Sequence, residues 1–142
     1  MNNIKSKVFT IILAASCFSF CEQISIYNSE GEAVAYIDTD KELTIYLWGG
    51  KPVAYLDGGK HIYGFNGEHL GWFDDGIIRD NKGYISGFLK GALNVSTKFE
   101  KFKGFQQFSP FKSFKKFAPM KPMYASRWSK IPLGLLLSMG RD

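Results

Sequence analysis

Ile62-Tyr63-Gly64-Phe65-Asn66-Gly67-Glu68-His69-Leu70-Gly71-Trp72-Phe73-Asp74 is one of four versions of a single phrase. Set on the shared glycines Gly31, Gly50, Gly67 and Gly83, the others run from Ile26 to Asp38, Ile45 to Asp57 and Ile78 to Lys90, with glycine spacings of 19, 17 and 16 residues. Each unit opens on Ile-Tyr (Ile78-Arg79 in the fourth) and closes on a small residue, an aromatic, an aliphatic and an acid, as in Ala35-Tyr36-Ile37-Asp38 (Lys90 ends the fourth). Asn66-Gly67 and Gly49-Gly50 supply the positive φ angles that tight hairpin turns need, so each unit reads as a β-hairpin. Side chains alternate along a strand, which puts the small and aliphatic residues on one face and the aromatic and the acid on the other. A lone hairpin is only marginally stable in water, so four of them must pack into one all-β module.

The segment that follows has a different rhythm. Phe99, Phe102, Phe105, Phe108, Phe111, Phe114 and Phe117 recur at every third residue. An α-helix would carry such rings around its circumference and a strand would alternate them, whereas polyproline II has three residues per turn and aligns them. Pro110, Pro119 and Pro122 favour the same extended form. At about 3.1 Å per residue this stretch spans roughly 60 Å, about twice the width of a small module. It must therefore bend, at Gly104, and wrap the repeats. The expected arrangement buries the Phe line across the repeats, because exposed rings are an aggregation hazard, and sets Lys98, Lys101, Lys103, Lys112, Lys115 and Lys116 against the module's acids. The alternative makes the line a partner-binding or membrane-surface element.

The four-fold I-Y-x-x-x-G-x-x-V-A-Y-[IL]-D phrase, the Phe/Lys tail of period three and Trp128-Ser129 near the end together resemble the four-fold β flower family of small bacterial proteins. The resemblance covers Ile24 to Leu137. It implies a compact module with pseudo-four-fold symmetry and no established activity. Arg79, Ser86 and Lys90 depart from the pattern, as a terminal repeat does where a ring closes.

The N-terminus reads as a secretory signal peptide over residues 1–21, with Lys5 and Lys7 ahead of an apolar run from Val8 to Phe20 that is too short to span a bilayer. Export follows, to the periplasm, the medium or the cell surface. Cys17, after Ala14-Ala15-Ser16, partly matches a lipoprotein cleavage site, and a membrane association is expected only if it is lipidated. No cysteine follows Cys21, so residues 22–142 can hold neither an internal disulfide nor a cysteine metal site. Residues 22–91, the repeats, carry 6 Lys+Arg against 11 Asp+Glu, and residues 92–142, the tail with its apolar end, carry 10 against 2. An acidic module is thus joined to a basic tail. Ile131 to Met139 is again too short to span a membrane and is expected to dock as a last core element or to serve as an oligomer contact.

Little in the sequence resembles catalytic machinery. His61 and His69 have no third imidazole and read as solvated strand residues rather than metal ligands. Asp38, Asp57 and Asp74 hold equivalent places that suit turn chemistry or, if the ring brings them to one axis, a cation. No nucleophile stands beside a base, and the glycine pairs precede no helix that could cradle phosphate. The expectation is a non-catalytic binding module without cofactor or metal, with Tyr36, Tyr55, Trp72 and Phe88 beside Asp38, Asp57 and Asp74 as the face for a glycan or protein partner. The alternative reading has these rings fill the core. A second class is a structural protein that joins its own copies through the tail or the C-terminal run. Nucleic acid is not an expected partner of an exported protein.

Overall fold

A computed structural model describes residues 22–141, and the expected leader lies outside them. Eight strands form a closed antiparallel barrel in chain order: β1 (Gln23–Tyr27), β2 (Ala33–Asp38), β3 (Thr44–Leu47), β4 (Pro52–Asp57), β5 (His61–Gly64), β6 (His69–Asp74), β7 (Ile77–Asp80) and β8 (Ile85–Leu89). The four phrases are the four hairpins, and β1 closes on β8 through Ile26 opposite Leu89 and Tyr27 opposite Phe88. Closure leaves no sheet edge to template aggregation.

The inward set is the one the alternation selects. Ile26, Ile45, Ile62 and Ile78 meet Ile37, Leu56, Phe73 and Leu89 in one core cluster, as suits an eight-stranded barrel just wide enough for its own side chains. Every hairpin also shifts register at the same place, after Ile26, Ile45, Ile62 and Ile78. The extra residue is on the returning strand, Val34, Val53, Leu70 and Ser86, and the bulge offsets the partners of the next residues on the first strand, Tyr27, Tyr46, Tyr63 and Arg79. A short helix, α1 (Leu133–Ser138), completes the interior: Leu133 and Leu137 belong to the core cluster, and the chain just beyond is held by the bond from Asn66 N to Gly140 O, 3.1 Å. The helix therefore closes the barrel at the end where the hairpins turn.

Between β8 and α1 the chain crosses the outside of that same end as a belt without helix or regular strand. The carbonyls of Ser96, Phe105, Phe114 and Met123 lie against Gly31, Gly50, Gly67 and Gly83, where a Cβ would stand only 2.0, 1.8, 2.2 and 2.2 Å from them. Those four belt residues are nine apart, and so are Lys98, Gln107, Lys116 and Ala125, whose amides donate to the carbonyls of the same four glycines at 2.8 to 3.1 Å. Nine residues make three turns at three residues per turn, so the belt returns the same face to each hairpin.

That face is not the phenylalanine face. All seven rings from Phe99 to Phe117 point to solvent, at 96 to 102% exposure, which reverses the expected burial. The physical reason lies underneath: the outer barrel surface carries Tyr hydroxyls and carboxylates that need polar partners once covered, and the belt's polar residues supply them. Because the rings touch nothing, Phe108→Ser is expected to shift the folding free energy by less than about 0.5 kcal/mol, measured by urea denaturation at low protein concentration. A loss of several times that would mean the ring is packed.

Candidate functional site

The belt is anchored at the position that follows each bulge. Tyr27 Oη donates to Glu100 at 2.6 Å, Tyr46 Oη lies 3.3 Å from Ser109 Oγ, and Tyr63 Oη donates to Lys116 O at 2.8 Å. In the fourth repeat Arg79 donates to Ala125 O at 2.6 Å and to Gly83 O at 3.0 Å. Its departure from the Tyr of the other repeats thus preserves the anchor. Burial pushes the Tyr27 hydroxyl up to about 12, with the bond to Glu100 adding to it, and that bond holds the Glu100 carboxyl below its ordinary value.

Lysines and glutamine close the face. Lys103 sits 4.6 Å over the Tyr36 ring and Lys112 4.4 Å over Tyr55, while Lys112 pairs with Glu42 at 3.2 Å, Lys115 with Asp57 at 3.0 Å, and Lys116 with Glu68. The ammonium groups of Lys103 and Lys112 lie over the rings, Lys103 also donates to Gln23 Oε1 at 2.8 Å, and those of Lys112, Lys115 and Lys116 reach carboxylates. Gln106 Nε2 donates to Asp38 at 2.8 Å and to Tyr36 Oη at 3.3 Å.

This arrangement corrects the reading of Tyr36, Tyr55, Trp72 and Phe88 as an open aromatic face, since none exceeds 5% exposure. Tyr36 stacks on Tyr46, Tyr55 on Tyr63, and Phe88 packs on Tyr27, all outside the barrel wall. The three acids stay separate in role: Asp38 bonds Gln106 and the amide of Asp40, Asp57 bonds Lys115, and Asp74 acts on Arg79 and Tyr124. Among the described residues no group of three His, Cys, Asp or Glu could hold a metal ion.

The histidines are not solvated strand residues either. Hairpin pairing brings His61 Nδ1 to 3.0 Å from His69 Nε2, and His69 Nδ1 to 2.9 Å from Asn81 Oδ1. Asn81 Nδ2 donates to His69 O at 2.7 Å, which leaves Oδ1 to accept and fixes the tautomers: His69 carries its proton on Nδ1, and His61 donates to His69 Nε2. Burial lowers both pKa values from the ordinary 6.5. A depressed histidine pKa favours the fold above the unfolded value and withdraws that support as pH falls through the folded one. Thermal stability is therefore expected to decline as pH drops below about 6.5, and the decline should flatten in a His61→Gln/His69→Gln variant. An equal slope in both proteins would assign the acid sensitivity elsewhere.

Outside the belt's underside, what stands open is the outer line itself. Met120 and Met123, each 93% exposed, extend the seven rings at the same spacing. The sequence held a signal for this longer repeat in Lys103, Lys112 and Lys121, and in Pro110 and Pro119, each nine residues apart. The family model for 4-fold beta flower proteins matches residues 24–137, a range that covers the four repeats and the belt in step with them. The chain belongs to that family. No curated protein and no solved structure matches this 4-fold beta flower protein. No helix among its described residues is long and apolar enough to cross a membrane.

Proposed function

We propose that the chain is an exported, non-catalytic interaction module that joins copies of itself through the outward apolar line of its belt. The observation that carries this reading is the near-complete exposure of Phe99, Phe102, Phe105, Phe108, Phe111, Phe114 and Phe117. At roughly 150 Å² or more per ring, the seven offer on the order of 1,000 Å². That exceeds the about 300–600 Å² of the largest apolar patch on an ordinary monomer and suffices for a stable interface of about 800 Å² per partner.

A second belt suits the line better than an anionic membrane. Membrane recruitment relies on lysines free beside the inserted groups, whereas Lys112, Lys115 and Lys116 turn back onto Glu42, Asp57 and Glu68. A facing copy presents rings at the same spacing, and Glu42, Asp57 and Glu68 already neutralise three of the belt's lysines. Export rests on the N-terminal leader, with anchoring through a lipidated Cys17 as the variant of that reading.

Light scattering over a concentration series tests the proposal. The wild-type domain should rise to at least twice the monomer mass, and Phe105→Glu/Phe108→Glu/Phe111→Glu should remain monomeric with an unchanged melting temperature. A wild type that stays monomeric at the highest concentration, or a triple variant that still assembles, would overturn it.

A further inference from the structure

A cleft of about 860 Å³ opens between the third and fourth hairpin ends and the returning C-terminal segment. Its third wall is pinned on both sides. Ile85 N donates to Arg127 O at 2.8 Å and Ser129 N to Ile85 O at 2.7 Å, while Asn66 Nδ2 donates to Met139 O at 2.8 Å. The cleft is thus a built feature and is separate from the ring line of the belt. Its volume falls within the about 300–1,000 Å³ usual for small-molecule sites.

The lining is amphiphilic. Leu70, Ile131, Leu136 and Met139 give an apolar part, and Trp128 and Tyr84 add rings. Lys82, Arg127 and Lys130 line it too, and none of the three forms an ion pair among the described residues. Two carboxylates are present, but both are engaged: Glu68 pairs with Lys116, and Asp80 Oδ1 accepts the amides of Lys82 and Tyr84. With Glu68 neutralised by Lys116, Lys82, Arg127 and Lys130 face Asp80 alone, an excess of positive charge that favours an anionic ligand end. We infer that this cleft binds an amphiphilic anion, its apolar body against Leu136 and Trp128 and its charged end between Arg127 and Lys130.

The test uses octanoate as the probe on the full folded domain, read through the indole N–H signals of Trp128 and Trp48 in a nitrogen-15 correlation spectrum. Trp48 donates to Lys101 O on the belt, so it reports binding along the ring line instead. Octanoate should shift Trp128 saturably and leave Trp48 in place, and octyl phosphate should do the same. Arg127→Ala/Lys130→Ala, at two exposed positions, should weaken octanoate roughly tenfold, and Arg127→Lys should recover part of that loss. Equal shifts with octylammonium, parallel shifts of both indoles, no saturable shift, or undiminished binding to the double alanine variant would each overturn the assignment.

Discussion

Gly50→Ala is expected to destabilise the protein by about 3–5 kcal/mol, while Gly49→Ala, one residue earlier, should change stability by no more than about 0.5 kcal/mol. Gly50 has φ +98° and lies under the belt, where an added Cβ would stand 1.8 Å from Phe105 O. The left-handed backbone alone costs an L side chain roughly 1–2 kcal/mol. The clash then forces the belt to move, breaking the bonds from Gly104 N to Trp48 O and from Gln107 N to Gly50 O, 3.0 and 2.9 Å. Each such bond contributes about 1 kcal/mol, and the Tyr36–Tyr46 stack would be opened to water as well. A Cβ on Gly49 meets nothing within 4 Å. Paired urea titrations decide the matter: equal effects of the two substitutions would mean that the belt does not rest on the turn.

The second large effect is expected at the barrel mouth. Leu137→Ala should cost about 2–5 kcal/mol, the range for truncating a fully buried leucine whose cavity cannot collapse. Leu137 is fully buried in the cluster that includes Leu133 and the inward strand residues. Six residues cannot hold a helix in water by themselves, and Pro132 provides no side-chain cap, so packing is what keeps α1 formed. Leu135, on the same helix and 55% exposed, is the control, and its replacement by alanine should be nearly silent. Hydrogen exchange adds a directional readout, because loss of docking should release the amides of α1 before those of β1 to β8. Simultaneous release of helix and strands at unchanged overall stability would show that the helix does not close the barrel independently.

The sequence made some of this legible for a clear reason. Alternation in Ala35-Tyr36-Ile37-Asp38 and its equivalents specifies which side chains share a face, and the turn glycines specify where each strand pair reverses. Together they yield an all-β module of four hairpins, and burial of the aliphatic face leaves little choice about which way it points. The Phe line is different. A period of three fixes that the rings lie together, but it does not say whether they look inward or outward. That choice is made by contacts distant in sequence, such as Lys98 N to Gly31 O and Gln106 to Asp38. Counting apolar area alone gives the opposite answer, because it omits the buried hydroxyls and carboxylates that the belt has to satisfy. His61 and His69 were hidden by the bulge at Ile62 and Tyr63, which offsets a simple hairpin register and brings the two imidazoles into contact. The cleft was hidden more deeply, since one of its walls is a segment that returns from more than forty positions along the chain, as the bond between Ile85 and Arg127 shows.

The orientation of the belt is the central claim, and hydroxyl-radical footprinting of the dilute, monomeric domain tests it most directly. Phe99 to Phe117 should be modified at the rate of free side chains, with Tyr36, Tyr46 and Trp72 protected, and the phenylalanines should gain protection as the concentration is raised. Rapid modification of Tyr36 and Trp72 together with protected phenylalanines in the dilute protein would contradict it.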